Sequence, residues 1–176
     1  MAIDRQKTET VHWHAVFTAS RAEKKVRDRL EELGVECFLP VQTVLRQWTY
    51  RKSRVAVPVI AGLVFVRVGR QEQVKVLQTK GVVAFLRLKG EAGAAVIPDK
   101  QMEDFRFLLD FSEEAVEMTN ENIKAGDLVR VVKGSLRGME GELIRHKGVT
   151  KVLVRIDMLG CAMVNIPASF VEKLNK

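Results

Sequence analysis

Residues Ile123–Leu143, IKAGDLVRVVKGSLRGMEGEL, decide how the C-terminal part of this chain is read. Leu128, Val129, Val131 and Val132 favour an extended strand, and Gly134, Gly138 and Gly141 punctuate the residues after it. Glycine reaches positive φ without steric cost, so this spacing predicts a tight turn of fixed conformation. Three further segments, 142–145, 152–157 and 162–166, repeat the short-strand pattern at regular intervals. Four or five short strands in about 50 residues predict a small β-barrel.

The block resembles a KOW domain, an SH3-like barrel of transcription and translation proteins. Gly126-Asp127, Val129, Val131, Gly134, Gly138 and Gly141 carry the resemblance. Any other small barrel with glycine turns would share part of this pattern.

The preceding stretch, Ser112–Glu121 (SEEAVEMTNE), holds four acids, no Lys or Arg, and no strong period. It is expected to be a linker. It separates residues 1–111, with 19 Lys/Arg against 13 Asp/Glu, from residues 122–176, with 10 against 5. The net charge of +7 suits a polyanion or an acidic protein face as partner. The chain has 176 residues, a size for one domain or two small ones, and a hydrophobic share of 47%, enough for a core. It contains no run of 18 apolar residues, so no membrane span is expected, and no membrane is expected among its partners. A polar start without a signal-like apolar region and two distant cysteines, Cys37 and Cys161, point to a reducing, cytoplasmic setting.

In the N-terminal block, 13–18 reads as a strand and Ser20 opens a helix, with Ser20 and Glu23 at capping-box spacing. Ala22, Val26, Leu30 and Leu33 fall on one face, Arg21, Lys24, Lys25, Arg27 and Arg29 mostly on the others, and Gly34 stops the helix. Extended segments follow at 35–40, 41–48 and 55–68, with Arg51–Arg54 as a charged hairpin tip. A short helix at 71–78, a strand at 82–88 and a last helix from Pro98-Asp99 complete the block. The order β-α-β-β-β-α-β-α implies an α+β fold, helices covering an antiparallel sheet.

This order resembles the NusG family, whose N-terminal NGN domain opens with W-x-V and a helix bearing E-x-K-V. Trp13, Val16, Glu23, Lys25 and Val26 match, as do Phe38-Leu39-Pro40, the segment Pro58–Val66, and Thr79, Gly81, Val82 and Phe85. The resemblance spans about residues 11–174. It implies a flexible 1–10, an NGN domain at 11–111 (an α/β sandwich, antiparallel sheet flanked by helices), a linker at 112–121 and a KOW barrel at 122–176. The phrases 39–48, LPVQTVLRQW, and 158–167, MLGCAMVNIP, are similar to the specialised UpxY and RfaH types. Ile60, Ala61 and Leu63 replace the family's aromatic-proline segment, and His14 stands where a tyrosine is frequent.

The resemblance implies a transcription elongation and antitermination factor, operon-specific for surface or capsular polysaccharide genes. A general NusG factor and a ribosome-associated KOW protein are the alternatives. An apolar patch of Phe17, Ile60, Leu63, Phe65 and Leu88 would hold the clamp helices of the largest RNA polymerase subunit. Arg21, Lys25, Arg29, Lys80 and Arg87 would follow non-template DNA or nascent RNA through its phosphates. Gly134, Gly138, Met139, Gly141, Met158 and Leu159 would form the KOW turn and the loops that meet a small-subunit ribosomal protein or the termination factor Rho. A monomer without cofactor is expected.

The segment Trp48–Arg54 places Trp48 and Tyr50 among Arg51, Lys52 and Arg54. Aromatics among cations can stack on bases, and the same pattern serves a soluble hairpin with one anchored ring. Enzyme readings find no support. His12, His14 and His146 lack metal-ligand spacing, and neither GxxxxGK[ST] nor GxSxG occurs. Cys37 sits in an apolar strand with no neighbouring base.

Overall fold

The computed structural model describes residues 9–174. The strands are β1 (His12–Thr18), β2 (Glu36–Phe38), β3 (Val41–Trp48), β4 (Arg51–Pro58), β5 (Leu63–Val68), β6 (Val82–Phe85), β7 (Glu117–Thr119), β8 (Asp127–Val131), β9 (Glu140–His146), β10 (Val149–Ile156), β11 (Gly160–Asn165) and β12 (Val171–Lys173). The helices are α1 (Glu23–Glu32), α2 (Glu72–Leu77) and α3 (Asp99–Phe111). Contacts divide the chain into two units. One gathers the residues up to Leu39 with Gly62–Val96, and the other gathers Pro40–Ala61 with the residues from Ile97 onward.

The first unit is built on an antiparallel sheet of order β2-β5-β1-β6. Alternation along its strands gives two faces. Cys37, Val64 and Val66 lie on one, where the Cys37 thiol reaches the Arg27 carbonyl of α1 at 3.7 Å. Val26 and Leu30 of α1 and Val76 of α2 are fully buried. The opposite face carries Trp13, Ala15, Phe17, Leu63 and Phe65, with Phe17 opposite Leu63 and Ala15 opposite Phe65.

Gly34 ends α1 as expected. At φ +74° it lets its own N–H reach the Glu31 carbonyl (2.9 Å) while Val35 N–H reaches that of Leu30 (2.9 Å). That pair of bonds satisfies carbonyls the helix leaves free. The capping box does not form. The N-cap is Ala22, without a side-chain cap, because Arg21 takes a left-handed φ of +58° and turns the chain one step later. The buried Glu23 carboxylate instead accepts the Gly62 N–H at 2.7 Å, tying the start of α1 to the start of β5.

In the second unit, β3 and β4 form a two-stranded sheet of their own. The hairpin tip lies at Thr49-Tyr50. Arg51–Arg54, expected as the tip, belong to β4, because Trp48 pairs with Arg51 across a two-residue turn. The remaining strands form an antiparallel six-stranded sheet with β12 and β7 as its ends, in the order β12-β8-β9-β10-β11-β7. Helix α3 lies against β10 and buries Met102, Phe105 and Leu108 completely. The Gln101 side-chain carbonyl accepts the Asp157 N–H at 2.8 Å.

The stretch expected as a linker carries β7, paired with Cys161–Met163 of β11. The buried Lys151 ammonium meets the Glu117 carboxylate at 2.8 Å, so one acid of this stretch partners a buried cation of the sheet. That pairing holds the Glu117 carboxyl below its usual range.

Candidate functional site

Of the five residues expected to form an apolar docking patch, the structure buries two. Leu63 is 2% exposed and Phe65 0%, so both are core side chains; Phe65 packs on Phe38 with ring centroids 6.2 Å apart. The reason is the pairing. Both residues point to the same side of the central strand β5, flanked by β1 and β2. Phe17 remains 42% exposed because it sits at the end of β1, one residue before the bulge that shifts the β1–β6 register. Leu88, beyond the end of β6, is also 42% exposed, and Ile60, in the second unit, is half-buried. Leu63, Phe17 and Ala84 share one row across β5, β1 and β6, so Phe17 is the exposed member between a buried Leu63 and a half-buried Ala84. Sequence reasoning missed Val83, 64% exposed on β6. Its alternation with Phe85 reads as a buried strand face, and no local signal in the sequence marks it as exposed.

The basic residues cluster more closely than the apolar ones. The Arg29 guanidinium donates from Nη1 to the Lys80 carbonyl at 2.6 Å, which fastens α1 to the turn between α2 and β6. Gly81 in that turn has φ +100°, and a Cβ there would lie 2.8 Å from Val26 and 3.6 Å from Ala22. Its missing side chain therefore lets the turn close onto α1. Ala19 N–H donates to the Gly81 carbonyl at 2.8 Å, bringing in the segment of Arg21. Arg29 and Lys80 so meet at one joint, with Arg21 in the adjoining segment and Lys25 one helical turn before Arg29 on α1. Arg87 is exposed beyond β6 and no contact brings it there. Among the described residues none of these five cations has a carboxylate within ion-pair reach.

His14 is buried. Its Nδ1–H donates to the Ala95 carbonyl at 2.8 Å, and its ring meets Phe85 edge-on at 5.8 Å. Burial lowers its pKa, so the neutral imidazole is favoured. The family position therefore carries a core histidine in this chain. Among the described residues no group of three or more His, Cys, Asp or Glu is placed to hold a metal ion. The thiol of Cys37 is pushed up to about 11 by burial, and that of Cys161 is raised by the same cause. Both are held as thiols, not thiolates.

In the C-terminal sheet, the turn after β8 is closed by two backbone bonds, Val131 N–H to the Met139 carbonyl and Gly138 N–H to the Val131 carbonyl, each 2.8 Å. Gly134 and Gly138 take φ of +81° and +93°, as the turn expectation requires. A Cβ on Gly141 would meet the Leu153 carbonyl oxygen at 2.8 Å, so this glycine admits the neighbouring strand. Met139 is buried and packs inward, whereas Met158 (37% exposed, φ +68°) and Leu159 lie in the β10–β11 turn.

The fold has counterparts among known proteins. A family model described as "Transcription termination factor nusG" matches residues 11–106, more than half of the chain. The chain therefore belongs to the NusG family. A solved structure titled "Domain interaction in Thermotoga maritima NusG" is similar at 22% identity and a TM-score of 0.51, covering 94% of this chain and 98% of that one, which is a likeness of fold. Two structures of an MjSpt4:Spt5 complex, conformations B and A, match at 17% identity over 93% of this chain and 97% and 99% of theirs, with TM-scores of 0.31 and 0.29. No curated protein matches significantly. Among the described residues no helix is long and apolar enough to cross a membrane.

Proposed function

We propose that the chain is a cytoplasmic, non-enzymatic elongation and antitermination factor that binds RNA polymerase through its N-terminal domain and lowers pausing or premature termination. Membership of the NusG family carries the reading. The partly exposed Phe17, beside the buried Leu63 on one sheet face, supplies a side chain for the clamp helices to cover. A clamp bridged by a bound protein resists opening, so pause-linked conformations lose population. The cations around Gly81 have no acidic partner among the described residues and suit the phosphates of nearby non-template DNA or nascent RNA. Residues 122–176 act as a KOW domain that recruits a small-subunit ribosomal protein or Rho through the Met158-Leu159 turn. Operon specificity of the UpxY and RfaH type, serving surface polysaccharide genes, accompanies this role, and the chain acts as a monomer.

The test is co-purification of the full chain with bacterial RNA polymerase, followed by transcription through a pause site. Retention on polymerase with shortened pauses is the expected result. Absence from polymerase, with binding to ribosomal RNA instead, would overturn the reading.

A further inference from the structure

The β3–β4 hairpin takes no part in the apolar row or the basic joint, and its chemistry is one-sided. No Asp or Glu occurs between Glu36 and Glu72, whereas the hairpin carries Arg46, Arg51, Lys52 and Arg54. Among the described residues none of these four cations has a carboxylate partner. The register places them on both faces. Arg51 lies opposite Trp48, and Arg46 lies two positions before Trp48 on the same face; Lys52 lies opposite Gln47 and Arg54 opposite Leu45 on the other.

The same tip exposes two aromatic rings. Tyr50 is 98% exposed and Trp48 56%. Trp48 is also held: its indole N–H donates to the Ser53 hydroxyl at 3.1 Å, diagonally across the hairpin. A ring kept in a fixed plane, open to solvent and bordered by two arginines loses little freedom when a flat partner stacks on it. Cations alone would suit any polyanion. Exposed rings next to cations spaced along a ribbon match alternating phosphates and unpaired bases, since every base offers a π-face. A duplex hides those faces.

We infer that the β3–β4 hairpin is a binding element for single-stranded nucleic acid, with Tyr50 and Trp48 stacking on unpaired bases and Arg46, Arg51, Lys52 and Arg54 following the phosphates. This goes beyond the contact around Gly81 and holds whether or not polymerase is the partner.

The full chain tests it without polymerase. Fluorescein-labelled oligothymidine, oligouridine and a mixed-sequence duplex are titrated, reading anisotropy and intrinsic tryptophan fluorescence. Trp13 is 5% exposed, so stacking reports through Trp48. Single strands are expected to bind more tightly than the duplex and to quench Trp48. The tighter of the two single strands identifies RNA or DNA as the source. Tyr50→Ala should weaken binding about tenfold without altering the thermal melt, because so exposed a ring packs against almost nothing. Tyr50→Trp should restore it. Replacing Arg51 and Lys52 by Gln should flatten the salt dependence by about 0.7 per lost phosphate contact. Equal binding of duplex or polyglutamate, unchanged binding by Tyr50→Ala, or loss only on Lys25→Gln and Lys80→Gln would overturn the inference.

Discussion

Phe17 and Leu63 face each other across β1 and β5, yet the proposed function assigns them opposite fates on truncation. A phenylalanine exposes on the order of 200 Å² when free, so 42% exposure leaves about 85 Å² of Phe17 for a partner to cover. At about 25 cal/mol per Å² that is about 2 kcal/mol, or roughly thirtyfold in affinity. Phe17→Ala should therefore weaken polymerase binding about thirtyfold. It should also cost the domain some stability, since the rest of the ring is already covered. Leu63→Ala removes a side chain with nothing left to expose. It should cost about 2–5 kcal/mol of stability as a cavity, with affinity unchanged while the domain stays folded. The assay pairs a urea melt with polymerase binding measured where both variants are native. The reasoning is refuted if folded Phe17→Ala binds like the parent chain, or if folded Leu63→Ala loses affinity to the same extent.

The Glu142 carboxylate accepts from Arg155 Nε (2.6 Å) and Nη2 (2.9 Å) and from Gly126 N–H (2.9 Å), and the Arg155 bond is the main reason its pKa is lowered. A lowered folded pKa stabilises above the unfolded value of about 4.3 and loses that stabilisation as pH falls through the folded one. Glu142→Gln should lower the urea midpoint at pH 7 and flatten its decline towards pH 3, and an unaltered pH profile would count against the pairing. Gly160→Ala would drive a Cβ into the Thr119 carbonyl oxygen at a φ of +103°, forcing β7 off β11. A drop in the thermal midpoint is expected, at a cost of at least about 1–3 kcal/mol, and an unchanged melt would show that β7 is not needed there. With its thiol at about 11, Cys37 should be ionised to roughly one part in a thousand at pH 8 and react with iodoacetamide far more slowly than a free thiol. Fast alkylation of the native chain would contradict its burial.

Much of this architecture was legible where a local signal decides the outcome. Gly34 ends α1, Pro98-Asp99 starts α3, and Gly134 and Gly138 set the turn after β8, because backbone conformation at those points depends on neighbours in sequence. Glu23 shows the opposite case. Its spacing from Ser20 satisfied a local rule, and a distant N–H on Gly62 took the carboxylate instead. The acidic stretch 112–121 lacked a period because three residues are too few to show one, and β7 is defined by its partner β11. Alternation placed Leu63 and Phe65 on the correct face of β5 but could not tell a surface from a core, since that depends on where in the sheet β5 lies. The basic cluster was visible as a helix face, whereas the arrival of Lys80 needed the closure at Gly81.

The position of β1 inside its sheet has a consequence for how the protein is made. Synthesised first, it pairs with β5 and β6, so Phe17 waits 46 positions for Leu63, and Val16 waits 69 for Phe85. The β3–β4 hairpin can close locally in the meantime, but the Trp13–Phe17 strand leaves the ribosome with both of its edges open. Non-local pairing of this kind delays folding and prolongs exposure of a sticky segment. Chaperone dependence and aggregation on overexpression should therefore trace to Trp13–Phe17 rather than to the run β8–β11, whose successive hairpins close as they emerge.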